Sequence, residues 1–258
     1  MKADLHSAYT YPVISTSIWH ALWTSWDAWV LTLLLAMVSP AIDYFMFRSL
    51  KARLVPLSPR SKIKLFLYLI LSQWILTALA VVILYRHGAS LSAAGQQFGR
   101  APWTVGVTFA VVISVFLLTR WHGNQLSKTD PDRLKSLLKN VQFVLPTSPA
   151  ERPVFVVVAI TAGICEELLF RGWLVNFFAA GFGHLWLAVI LSSILFGTAH
   201  LYQGPRAVPS TAFLGLVFAL LFVATGSLLP GQGLHTFIDL NNGLSLGKMA
   251  ARLEAEPA

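Results

Sequence analysis

The sequence is short of charge. Only 12% of its 258 residues are Asp, Glu, Lys or Arg, about half the ~25% of an ordinary soluble domain. That excludes a water-soluble enzyme, whose surface needs such groups. Acidic residues are scarcest, 11 against 19 basic. Cys165 is the lone cysteine, so an intrachain disulfide framework and a thiolate metal cluster are excluded. No internal repeat, low-complexity tract or HExxH zinc-protease helix is present. The start lacks the basic segment and short apolar core of a cleavable signal peptide. What the chain has instead is apolar residues, 56% of the total, in runs too long for core helices. A disordered or fibrous chain is thereby excluded as well. The fold class expected is an all-α, polytopic transmembrane helix bundle.

A spanning helix needs about 20 mostly apolar residues. Seven such segments are expected, at 26–47, 63–85, 102–120, 153–180, 184–202, 207–226 and 228–246, the last interrupted by Pro230, Gly231 and Gly233. Four tryptophans between Trp19 and Trp29 read as an interfacial belt before the first span. The net charge of +8 suggests nucleic acid until the basic residues are located. Six lie between Arg48 and Lys64 and six between Arg120 and Arg152, in polar segments flanked by apolar runs. Cytoplasmic loops of membrane proteins are marked in this way, and no nucleic-acid partner is needed. The N-terminus is then outside and the C-terminus inside. Residues 130–139 read as a short amphipathic helix on the membrane surface. The expected organisation is three spans over 1–126, a cytoplasmic loop at 127–152, an intramembrane region at 153–246 and a cytoplasmic tail at 247–258. With no organelle-targeting signal in view, a bacterial plasma membrane is the expected location.

Charges sit where the bilayer should forbid them. Glu166, Glu167 and Arg171 lie inside the apolar run 153–180. Three charges at the bilayer centre cost roughly 8–10 kcal/mol before pairing, even on the lenient insertion scale. At about 100° per residue, Glu167 and Arg171 point within about 40° of one another, with Glu first, the favourable order for an ion pair. Structural pairing therefore accounts for Glu167 and Arg171. It leaves Glu166 without a partner on its own helix, free to act as a general base.

Two later spans carry polar pairs four residues apart: Phe196 with His200, and His235 with Asp239. Each pair shares a helix face. If the three spans pack together, a carboxylate and two imidazoles converge on one water. Two chemistries fit. His200, His235 and a carboxylate can bind a zinc ion that acidifies the water. Alternatively, Glu166 deprotonates the water while the histidines donate to the developing oxyanion. Other candidates are weaker. His6, His20, His87, His122 and His184 sit at loops or span ends, and Cys165 reads as a packing residue. Asp27 and Asp43 lie near the ends of the first span, within reach of the headgroups. Asn241 and Asn242 read as ending the last helix, with Asn242 also able to line a pocket.

The three motifs, EELLFR (Glu166 to Arg171), FGTAH (Phe196 to His200) and HTFID (His235 to Asp239), resemble those of the CPBP family of intramembrane proteases. That family includes CAAX prenyl endopeptidases and bacterial processing and immunity relatives, and its pattern is EExxxR, FxxxH and HxxxN or HxxxD in order. The resemblance covers roughly 153–242. It implies an endopeptidase acting on prenylated or membrane-anchored proteins or peptides. Glu166 would activate the water, Glu167 and Arg171 would support it, and His200 and His235 would flank the scissile carbonyl, with or without a zinc ion. Asp239 stands where the prenyl-protein proteases have an oxyanion-hole asparagine. An ionised Asp cannot donate there, a protonated one can, and Asp239 can instead orient His235 or a metal. Two other readings are an idle immunity or scaffold protein and a small proton-coupled transporter. The latter usually shows two related halves, which this sequence lacks.

Overall fold

The computed structural model describes residues 16–52, 57–98 and 140–255, with isolated positions between 106 and 138. The expected third span at 102–120 and the amphipathic helix at 130–139 lie outside the described residues. Everything described is helix, turn or loop, with no strand among the described residues. The helices are α1 (Thr16–Trp23), α2 (Trp26–Lys51), α3 (Pro59–Arg86), α4 (Glu151–Phe182), α5 (Leu185–Ala199), α6 (Ala207–Thr225) and α7 (Leu229–Ala255). By length and apolarity α2, α3, α4 and α6 can each cross a membrane, and α5 is a shorter apolar helix. The chain is a multi-pass membrane protein.

Local chemistry sets the boundaries. Ser58 caps α3 by accepting from the Ser61 backbone N–H, and Pro59 follows at the first turn, where a missing N–H costs nothing. Gly183 (φ 68) and Gly226 (φ 64) end α4 and α6 in the left-handed conformation that only glycine adopts cheaply. Pro230 falls in the first turn of α7, and the helix runs unbroken through Gly231 and Gly233 to Ala255. The expected interruption is therefore absent, Asn241 and Asn242 lie inside the helix rather than ending it, and residues 247–255 continue it.

α4 is the centre of the bundle. It is packed by α3, α5 and α7 along its length and by α1 near its end. Its middle, Glu167–Val175, is a π-helix, and all nine of those residues are buried. The largest core cluster gathers around it, with Trp173 edge-on to Trp19 at 5.7 Å and stacked on Phe177 at 6.0 Å. The tryptophan belt is thus only partly interfacial. Trp26 is 74% exposed, but Trp19 is fully buried, because α1 folds back onto α4.

α4 and α7 approach closely because Gly163 lacks a side chain. A Cβ there would stand 2.1 Å from Thr236 Oγ1 and 2.8 Å from the Gln232 carbonyl. Gly163→Val is expected to destabilise the protein by about 1–3 kcal/mol, the usual cost of overpacking, and to lower activity by moving His235 away from α4. Thermal unfolding in detergent checks the first effect.

At one end of the bundle, residues 140–150 close over the helices. Phe143 packs on Phe47 at 4.9 Å, and Lys62 Nζ donates to the Leu145 carbonyl (3.3 Å) and Thr147 Oγ1 (2.8 Å), with Glu151 3.8 Å away. Lys51 at the end of α2 donates to the Tyr202 carbonyl in the turn after α5. At the other end Asp27 is buried and held by Ser25, His87 and Arg86. Asp27 is thus engaged within the bundle, and His87 has a structural partner.

Candidate active site

Glu166 ends the first α-helical stretch of α4 and Glu167 begins its π-helical stretch. Widening the helix at that step sends the two carboxylates to different places. Glu167 is turned inward. Its Oε1 takes a hydrogen bond from Arg171 Nη1 at 3.0 Å and lies 3.0 Å from His235 Nδ1. Glu167 and Arg171 are each 1% exposed. Arg171 Nη2 donates to the Gly215 carbonyl at 3.1 Å, and its guanidinium lies 4.2 Å from the Phe196 ring centre and 5.2 Å from that of Phe218. Desolvation of the ion pair is thus offset by hydrogen bonds and aromatic faces. The expected Glu167–Arg171 pair is present, and what it supports is His235.

Glu166 faces a cavity of about 380 Å³. His200, at the C-terminal end of α5, turns its Nε2 to within 3.9 Å of Glu166 Oε2, and His235 Nε2 on α7 stands 3.8 Å from the same oxygen. His200 Nδ1 lies 2.8 Å from the Phe196 carbonyl, which can only accept, so Nδ1 carries the hydrogen. His235 Nδ1 likewise donates to the Glu167 carboxylate. Both rings therefore present Nε2 to the cavity, as acceptor when neutral and as donor when protonated. Phe196 is the shared wall, 4.7 Å from the His200 ring, 5.8 Å and edge-on to His235, and flat under Arg171. Phe218, stacked on His235 at 5.0 Å, completes the holder. Nothing in the spacing of Phe218 singles it out from the other apolar residues of α6.

Distances of 3.8–3.9 Å are too long for direct hydrogen bonds. They are short enough for one water to touch Glu166 Oε2 and both Nε2 atoms at ordinary hydrogen-bond distance. Glu166 Oε2 is buried and has no hydrogen-bond partner among the described residues. Asp239 Oδ2 lies 3.7 Å from His235 Nε2, with its side chain 37% exposed at the cavity edge. Among the described residues, no three His, Cys, Asp or Glu side chains are placed to hold a metal ion. The zinc expected at His200 and His235 with a carboxylate gains no support from them. One oxygen of Glu167 is bound to Arg171 and His235 Nδ1.

Gln73 and Asp43 bring polar groups to the cavity from outside the three motifs. Gln73 of α3 donates through Nε2 to Glu166 Oε1 at 2.9 Å, and Asp43 of α2 lines the same wall. Asp43 thus faces the cavity, not the headgroups. The 140–150 segment contributes Val141, Val144 and Leu145 to the cavity's end. Asn242 also lines it, whereas Cys165 is buried in packing. His184 stands at the start of α5, and His6 and His122 lie outside the described residues.

Residues 147–241 match the family model described as type II CAAX prenyl endopeptidase Rce1-like. All three motifs fall inside that span. Residues 147–241 are thus similar to that protease family. Neither a curated protein nor a solved structure matches the chain. The matched segment supplies Glu166, His200, His235 and Asp239, while Gln73 and Asp43 lie upstream of it.

Proposed function

We propose that the protein is an intramembrane endopeptidase of CAAX type, hydrolysing a peptide bond near the C-terminus of a prenylated or otherwise membrane-anchored protein or peptide. The observation that carries this is the convergence of Glu166 Oε2, His200 Nε2 and His235 Nε2 on one water-sized position at an apolar cavity. The family match points to the same reaction and substrate class.

Glu166 Oε2 takes a proton from the water, whose oxygen bonds to the scissile carbonyl carbon as the carbonyl electron pair moves onto its oxygen. Protonated at Nε2, His200 and His235 donate to that oxyanion. Glu167 holds His235 in orientation through Nδ1, and Arg171 holds Glu167. Asp239 balances the charge that His235 carries while it donates. Collapse of the intermediate breaks the C–N bond, and Glu166 returns the proton to the leaving amine. This is a glutamate-dependent route in which the imidazoles do the electrostatic work.

The topology proposed is N-out, C-in with seven crossings, counting one through 102–120. The end of α2, the starts of α3 and α4, the turn after α5 and the 140–150 segment share one end of the bundle, together with Lys51 and Lys62. Basic residues at one end mark the cytoplasmic side. His200, at the end of α5, then lies in the cytoplasmic half of the bilayer, and a bacterial plasma membrane remains the proposed location. The test is incubation of the purified protein in proteoliposomes with a farnesylated peptide ending in a CAAX sequence, read by mass spectrometry. Release of the three terminal residues is expected. An intact peptide, together with intact membrane-anchored controls, overturns the proposal and favours an idle immunity or scaffold protein.

A further inference from the structure

Glu166 is gripped from the other half of the chain. Gln73 lies on α3, 93 residues upstream and outside the family-matched segment, yet its amide reaches the base across the cavity wall at 2.9 Å. Only the NH2 end of an amide can face an ionised carboxylate, so the orientation is fixed by chemistry. The other end, Oε1, is buried and has no hydrogen-bond partner among the described residues. A glutamine kept only to join two helices would be satisfied at both ends, because an orphaned buried acceptor is costly. The α3–α4 contact also has a separate polar tie, from Trp74 Nε1 to Thr161 Oγ1 at 3.2 Å. The interaction that explains the placement of Gln73 is therefore the one with Glu166.

The consequence is geometric. With Oε1 held by Gln73, the carboxylate plane is set and Oε2 is the oxygen left facing His200 and His235. Without that bond the carboxylate can rotate, and the oxygen that must meet the water spends less time in place. We propose that Gln73 is a positioning residue for Glu166, so that α3 forms part of the active site and not merely its membrane scaffold. This rests on the reading of Glu166 as the base.

The test uses the full chain in proteoliposomes, with the farnesylated CAAX peptide as probe. Gln73→Met keeps the length and removes the donor. Gln73→Asn keeps the amide but shortens it beyond reach. Both are expected to lower kcat about 10- to 100-fold, the usual worth of a hydrogen bond to a charged group, with KM within about threefold because Gln73 need not touch the peptide. Thermal unfolding in detergent should stay close to wild type. A folded variant with kcat within twofold of wild type overturns the proposal, and so does a loss carried entirely by KM. Failure of both variants to fold also overturns it, since Gln73 would then be structural. Failure of the underlying reading looks different: wild type itself leaves the peptide intact, or Glu166→Gln cleaves normally.

Discussion

Glu166→Gln is expected to abolish peptide cleavage while leaving the protein folded. A positioned general base contributes roughly 10²- to 10⁴-fold, so turnover should fall at least a hundredfold. The fold has little reason to change. The amide oxygen of the new side chain can still accept from Gln73 Nε2, and Oε2 has no hydrogen bond to lose among the described residues. The histidines keep their holders, because His200 is fixed by the Phe196 carbonyl and His235 by Glu167. Thermal unfolding of the purified variant checks the stability half, and peptide cleavage checks the chemistry. Equal cleavage by the variant would remove Glu166 from the mechanism.

Arg171→Met should act through the opposite channel, with a large loss of stability. The guanidinium neutralises Glu167, donates to the Gly215 carbonyl and lies against Phe196 and Phe218. Removing one partner of a buried ion pair leaves the other charge uncompensated, at about 3–5 kcal/mol. The paired variant Glu167→Gln with Arg171→Met should recover part of that loss, because no naked carboxylate then remains. It should not recover activity, since His235 Nδ1 loses its charged acceptor. Unfolding midpoints of the two variants, measured together, give the sign of the difference. A double variant no more stable than the single one contradicts the assignment of the pair.

Much of the site is legible in the sequence because the bilayer makes polar residues conspicuous. Glu166, Glu167, Arg171, His200, His235 and Asp239 stand out against apolar runs, and the i to i+4 rule pairs Glu167 with Arg171. That pair forms even though the helix there is π rather than α, a shift of backbone hydrogen bonds that spacing does not reveal. The apolar runs also locate α2 to α6 to within a few residues of their ends. What is illegible depends on tertiary contact. Gln73 looks like one polar residue on a lipid-facing helix until α3 meets α4. Trp19 reads as interfacial until α1 folds over Trp173. Asp43 reads as terminal because its nearness to the first span's end says nothing of which face it occupies. Pro230 and two glycines suggest a broken helix, but a proline in the first turn breaks nothing. The run at 228–246 reads as a span, yet α7 is more polar than α2, α3, α4 and α6, and residues of its polar face line the cavity.

The most direct test of the central claim is cleavage of a farnesylated CAAX peptide in ¹⁸O-labelled water by wild type and by Glu166→Gln, with products weighed by mass spectrometry. Glutamate-activated hydrolysis predicts that wild type releases the terminal tripeptide and places one ¹⁸O in the new carboxylate of the prenylated fragment, while Glu166→Gln yields no product above background. Labelled product from both proteins at equal rates would contradict it.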